Sequence, residues 1–219
     1  MKTGIKALDY VIQQAKSLLI YGEAGSGKTT LALQIAKHVV EEKATNVLYV
    51  TDGDFPSERA LEILGLRALA KNVFVLKIGS FGDFLRLANE ADHLMRETQV
   101  RLMIVDTVSR LYQLFTSQLF QENVIRSRLL NMSLARLKTS LNMLNVELVG
   151  ISGVVLSNTP VCRKSVLPHF DVVLEMRNVD TDFKEILLVK PPLRLKTKVR
   201  LSAKGVTEHG ATSSLKQSW

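Results

Sequence analysis

The stretch YGEAGSGKTT, residues 21–30, constrains this chain more than any other. Gly22, Gly27, Lys28 and Thr29 complete the pattern G-x-x-x-x-G-K-[ST]. SLLIY (17–21) before it reads as an apolar strand. TTLALQIAKHVVEE (29–42) after it reads as a helix, with Leu31, Ile35, Val39 and Val40 on one face. Between a strand and a helix, this loop turns successive backbone N–H groups inward around a phosphate chain. Gly22, Glu23, Ala24, Gly25, Ser26, Gly27, Lys28, Thr29 and Thr30 are therefore the expected nucleotide-binding residues. Lys28 reaches the β- and γ-phosphate oxygens, and the Thr29 hydroxyl ligates Mg²⁺. The following helix aims the positive end of its dipole at the same phosphates. The expected cofactors are ATP and Mg²⁺.

Further strands alternate with helices. NVLYVTD (46–52), NVFVLKIG (72–79) and VRLMIVD (100–106) read as strands; 56–66 and 81–98 read as helices, with Ser57 as a candidate N-cap of the first. This alternation predicts an α/β fold with a mostly parallel sheet between helices. VELVGISGVVL (146–156), DVVLEM (171–176), EILLVK (185–190) and KVRLS (198–202) are the later strands. The last of them have no helices between them, which predicts an antiparallel C-terminal extension. Leu130, Leu134, Leu137, Leu141 and Leu144 follow a 4-3-4-3 spacing. That stripe is too short for a coiled coil and suits a crossover helix buried on the sheet. The organisation expected is one domain over residues 1–210 and a mobile tail over 211–219, with Trp219 at its end.

A P-loop needs an acid for Mg²⁺ at the end of another strand. Asp106 ends the apolar run RLMIVD and is the expected metal ligand beside Thr29. Strand 46–52 comes between the P-loop and Asp106 in the chain. This order suits the P-loop branch whose water-activating acid sits on an intervening strand. Asp52 or Asp54, in TDGD, is then the candidate catalytic acid beside Lys28, and caps on the helix at 56 are the other reading of the two aspartates. No N-K-x-D stretch supports guanine selection, and no L-S-G-G-Q stretch supports a transporter ATPase. A small-molecule kinase stays open, although no lid-like arginine cluster is evident.

The chain of 219 residues has a net charge of +8, concentrated near its C-terminal end. The run KPPLRLKTKVRLSAKG carries Lys190, Arg194, Lys196, Lys198, Arg200 and Lys204 and no acid. A polyanion such as nucleic acid, or an acidic protein, is the expected partner. One cysteine, Cys162, fits a reducing compartment, and the four histidines have no metal-ligand spacing. With no apolar run near ~20 residues and no signal-peptide pattern, a cytoplasmic protein without membrane contact is expected.

TGIKALD (3–9), YGEAGSGKTTLALQIA (21–36), FPSERALE (55–62) and LMIVDTVSRLY (102–112) together resemble the RecA/RadA recombinase superfamily. The likeness is to short archaeal RadA paralogues of the RadB type, which keep the core ATPase domain alone, and it runs over roughly residues 3–209. It implies a RecA-type core, ATP and Mg²⁺ use, DNA contact and a role in recombinational repair. By position it also implies Arg59 against the adenine. The DNA surface expected on this reading joins the loop after Gly153, with Arg163 and Lys164, to Arg194, Lys196, Lys198 and Arg200 of the basic strands.

Three departures from that family shape the expected function. The family's glutamate after the second strand is absent, so Asp52 or Asp54 must substitute with a shorter side chain. The strand-end glutamine that senses the γ-phosphate is replaced by Ser152 and Gly153. The F-x-x-A polymerisation segment has no counterpart, so a monomer or small oligomer rather than a filament is expected. These point to slow ATP hydrolysis, weakly coupled to DNA that is preferentially single-stranded, in an accessory factor of recombination. The alternatives are a non-catalytic module that binds the main RadA-type recombinase, and a clock-like or helicase-like RecA-fold ATPase.

Overall fold

A computed structural model of the chain describes residues 1–43, 45–108, 120–154, 159–161, 163–209 and 213–216. The helices are α1 (Lys6–Ile12), α2 (Lys28–Lys43), α3 (Ser57–Leu64), α4 (Leu66–Asn72), α5 (Phe81–Thr98), α6 (Phe120–Met143) and α7 (Arg163–Val166). The strands are β1 (Ser17–Gly22), β2 (Asn46–Thr51), β3 (Val73–Lys77), β4 (Val100–Asp106), β5 (Glu147–Ser152), β6 (Val172–Asn178), β7 (Phe183–Lys190), β8 (Arg194–Ser202), β9 (Gly205–Glu208) and β10 (Ser213–Lys216).

They form a single sheet in the order β10-β8-β7-β6-β1-β5-β4-β2-β3, with β9 paired to β8. From β3 to β6 every pairing is parallel; from β6 onward it is antiparallel. The fold is thus the expected α/β, RecA-type P-loop core: a mostly parallel sheet between helices with an antiparallel extension. Among the described residues no helix is long and apolar enough to cross a membrane.

The central strands are buried on both faces, as their continuous apolar runs require. One face of the sheet packs under α1, α2 and α3, through Ile20, Ile104, Ile151, Leu174, Ile186 and Val199. The other packs under α5 and α6, through Leu19, Val50, Met103, Leu148 and Val173. The leucine stripe of α6 lies where its spacing put it. Leu130, Leu134, Leu137 and Leu141 are fully buried on the sheet, with Leu144 packed partly buried beside them.

Several local expectations are corrected. Ser57 is the first helical residue of α3 and caps nothing: the N-cap position is Pro56, and no side chain bonds there. The capping box sits instead on α5, where Ser80 accepts from the Asp83 amide and Asp83 accepts from the Ser80 amide. The S-x-x-D spacing of Ser80 and Asp83 is the signal that marks it. Strand β2 does not lie between the P-loop strand and the Asp106 strand in the sheet. That place belongs to β5, and β2 pairs on the far side of β4. Of the segment 211–219, residues Ser213–Lys216 pair with β8 as β10, while Trp219 lies outside the described residues, as does Cys162.

Candidate nucleotide site and basic face

The P-loop leaves the C-terminal end of β1, in the middle of the sheet, and enters α2. Its first glycine is fixed by close approach: a Cβ on Gly22 would stand 2.0 Å from the Met176 carbonyl oxygen on β6. Gly25 has φ +71° and open space where a side chain would be. Gly27 packs against Leu201 of β8. The loop is tied to β6 from the side as well: the Asn178 amide donates to the Glu23 carboxylate at 3.2 Å and to the Ala24 carbonyl at 3.3 Å.

Lys28 folds back on the loop, donating to the Glu23 carbonyl at 2.5 Å and to Ser26 Oγ at 3.4 Å. Burial holds its ammonium below the usual lysine range, with Asp106 and Glu23 pulling the other way. The Thr29 hydroxyl donates to Asp106 Oδ2 at 3.0 Å. The two expected metal ligands, 77 residues apart in the chain, are therefore side by side. A hydroxyl and a carboxylate next to an inward-facing loop, with a lysine at its rim, fit a magnesium-bound triphosphate.

Tyr49 is a site residue the sequence reading missed. Fully buried on β2, it donates to the same Asp106 Oδ2 at 2.5 Å. Burial and the neighbouring Asp106 push its phenol well above the usual tyrosine range, so it stays a donor at neutral pH. Strand parity puts Tyr49 on one face with Thr51, but only the register with β4 shows that this face meets Asp106.

The two candidate acids separate. Asp54 is exposed and pairs with Lys77 on the edge strand β3 at 3.3 Å. Asp52 is half-buried, directly after Thr51. Arg59 lies beside the P-loop helix. Its guanidinium donates to Thr30 Oγ1 at 3.1 Å, to Glu62 at 2.6 Å and to the Ser202 carbonyl at 2.7 Å in the β8–β9 turn. The Ser152 hydroxyl, buried at the end of β5, is engaged by the Gly153 carbonyl at 3.0 Å. The loop beyond it falls partly outside the described residues, at 155–158.

On β8, strict alternation puts Arg194, Lys196, Lys198 and Arg200 on one exposed face and buries Leu195, Thr197 and Val199 on the other. Register carries that exposed face across the sheet. Lys196 pairs with Leu187, Leu187 with Glu175, and Glu175 with Tyr21 of β1. Arg163 and Lys164 are exposed on α7, and Arg163 is close enough to Tyr21 to act on its phenol. Burial, aided by Glu175, nonetheless pushes that phenol up to about 12.

The expected cations thus share one side of the sheet, opposite the P-loop helix. They are less bare than the sequence run suggests. Lys196 pairs with Glu185 at 2.7 Å and Arg200 with Asp182 at 3.7 Å. The Lys198 ammonium sits 4.3 Å from the centre of the Phe183 ring. Glu175, buried under this face, takes a bidentate bond from Arg177 at 2.6 and 3.0 Å.

A family model described as an AAA domain matches residues 6–132. A DNA repair and recombination protein RadB from Archaeoglobus fulgidus is 35% identical over 115 residues, which is 51% of each chain. Proteins of the same name from Methanosphaera stadtmanae and Methanococcoides burtonii are each 30% identical over 96 residues, about two-fifths of each chain. The alignments span about half the length of the curated relatives or less.

Proposed function

Because the chain belongs to the AAA-domain family, with a RecA/RadA-type core that is RadB-like over about half its length, we propose that it is an ATP- and DNA-binding accessory factor of recombinational DNA repair. The observation that carries the nucleotide half is the meeting of Thr29 and Asp106 at 3.0 Å beside the P-loop. In this reading Lys28 holds the β/γ-phosphate oxygens, Thr29 and Asp106 hold Mg²⁺, and Arg59 lies near the adenine. Bound Mg²⁺ neutralises charge on the phosphates. Asp52 is favoured over Asp54 as the acid that orients water, since Asp54 is turned to Lys77 at the sheet edge. The names of the relatives support the repair and recombination role; a RadA-type recombinase as protein partner belongs to the same proposal.

Hydrolysis is slow and weakly coupled to DNA in this reading. One ligand acts on another only through contacts that differ between two states. Gly153 has no side chain with which to sense a γ-phosphate, and the Ser152 hydroxyl already has a partner in the Gly153 carbonyl. Saturating single-stranded DNA should change the ATPase rate by less than about fivefold, the low end of ordinary coupling. Phosphate release measured with and without an oligonucleotide tests this; a stimulation of a hundredfold contradicts it.

DNA contact is assigned to Arg163, Lys164, Arg194, Lys196, Lys198 and Arg200. Affinity should then fall steeply with salt. Replacing Arg194, Lys196 and Lys198 together by alanine should flatten the log-affinity against log-salt slope by about 2 on a single strand, at ~0.7 per phosphate contact. Fluorescence anisotropy across a salt series reads it, and the same series on a duplex reads strand preference. An unchanged slope means that these cations do not face the nucleic acid.

A further inference from the structure

A fully buried aromatic at position 49 has no packing need for a hydroxyl: phenylalanine would fill the same volume of the core under α2. A buried hydroxyl without a partner destabilises, so its partner tells what it is for. Here the partner is the Asp106 carboxylate. Thr29 and Tyr49 converge on the one oxygen, Oδ2, at 3.0 and 2.5 Å. Among the described residues no hydrogen bond reaches Oδ1. The Tyr49 ring is itself held edge-on by Phe55, with centroids 5.0 Å apart and planes at 86°. Phe55 belongs to the connection that carries Asp52.

We propose that Tyr49 is a positioning residue for the metal: its hydroxyl fixes the Asp106 carboxylate in the orientation that accepts a divalent cation beside Thr29. The proposal rests on the ATP and Mg²⁺ reading above. Two donors on one oxygen hold the carboxylate plane against rotation and leave the second oxygen to the ion or its water. Partners of this kind, one step out from a metal, typically account for 10–100-fold in metal affinity. Phe55 completes the arrangement, because a ring fixed at its edge cannot swing its hydroxyl away.

The test is Tyr49→Phe, which keeps the ring and removes the one donor. Binding of a fluorescent ATP analogue is titrated with Mg²⁺, and bound Mn²⁺ is measured by electron paramagnetic resonance, so neither readout depends on turnover. The expected result is a metal midpoint raised about tenfold or more, with nucleotide affinity in EDTA unchanged. A wild-type midpoint in the variant overturns the assignment. Should Tyr49→Phe not fold, Phe55→Ala reads the same midpoint: a shift in the same direction, but smaller, supports the assignment, and no shift overturns it. Wild-type protein that binds no nucleotide overturns the ATP reading and this one with it. Wild-type protein with a metal-dependent affinity that Tyr49→Phe shares overturns this one alone.

Discussion

Lys28→Ala should abolish measurable ATP turnover while leaving the fold intact. Among the described residues the ammonium bonds only within its own loop, to the Glu23 carbonyl and Ser26, so its loss leaves no described partner on another element unsatisfied. At a phosphate chain the same ammonium supplies charge-assisted bonds, each worth roughly 1.5–3 kcal/mol. ATP affinity should fall about ten- to a hundredfold, at 1.4 kcal/mol per decade. Removing a preorganised donor from the developing charge lowers the rate constant by on the order of 10²–10³-fold. Phosphate release and analogue binding, with a thermal melt as control, measure all three. Turnover at the wild-type rate would mean that the loop is structural and the chemistry lies elsewhere.

Gly22→Ala should have the largest effect on stability. Its Cβ would lie 2.0 Å from the Met176 carbonyl oxygen and 3.0 Å from Ser26 Oγ. The carbonyl is poorly movable, since Met176 is paired with Gly22 in the β1–β6 ladder at the centre of the sheet. Overpacking of this kind destabilises by about 1–3 kcal/mol and occasionally more. In a domain of this size that is a melting temperature lower by roughly 2–12 °C. Nucleotide affinity should drop with it, because the loop begins at the displaced residue. Gly25→Ala is the contrast. Nothing stands within 4 Å of its Cβ, and the penalty is only the φ of +71°, about 1–2 kcal/mol for a left-handed residue. Equal melts for the two variants would refute the close-approach argument at Gly22.

What the chain reveals unaided is what lies close together along it. The P-loop, the helix over 81–98 and the strand over 100–106 match the structure because each is specified by its own neighbours: glycine spacing, a 3.6-residue period, a run of apolar residues ending in an acid. The meeting of Thr29 with Asp106 was legible as well, because two separate motifs each demanded it. The sheet order was not. Chain order suggested β2 as the intervening strand, but neighbours in a sheet are set by crossover connections, which put β5 there.

The basic run reads as barer than it is for the same reason. Within residues 190–205 there is no acid, yet Glu185 on the next strand and Asp182 just before it pair with Lys196 and Arg200. Cross-strand partners are invisible to a linear count of charge. Tyr49 escaped because its hydroxyl looks like any strand tyrosine until the register with β4 is known.

The placement of β1 has a consequence for how the protein is made. This strand, which carries the P-loop, leaves the ribosome before the other strands of the sheet, yet both its neighbours come late. Leu18 pairs with Val149 on one side and Val172 on the other. The helix behind it waits longer still: Gln34 donates to the Val206 carbonyl and accepts from the Val206 amide, 172 residues further on. At roughly 5–20 residues per second, synthesis of that intervening length takes about 10–30 s. Throughout that time the glycine loop, the Lys28 side chain and the apolar face of α2 exist without the walls that shape them. The phosphate-binding loop is synthesised before the strands that flank β1 and is among the last parts to be enclosed. A nascent chain stopped after α2 but short of β9 therefore carries the whole phosphate-binding motif without a finished site.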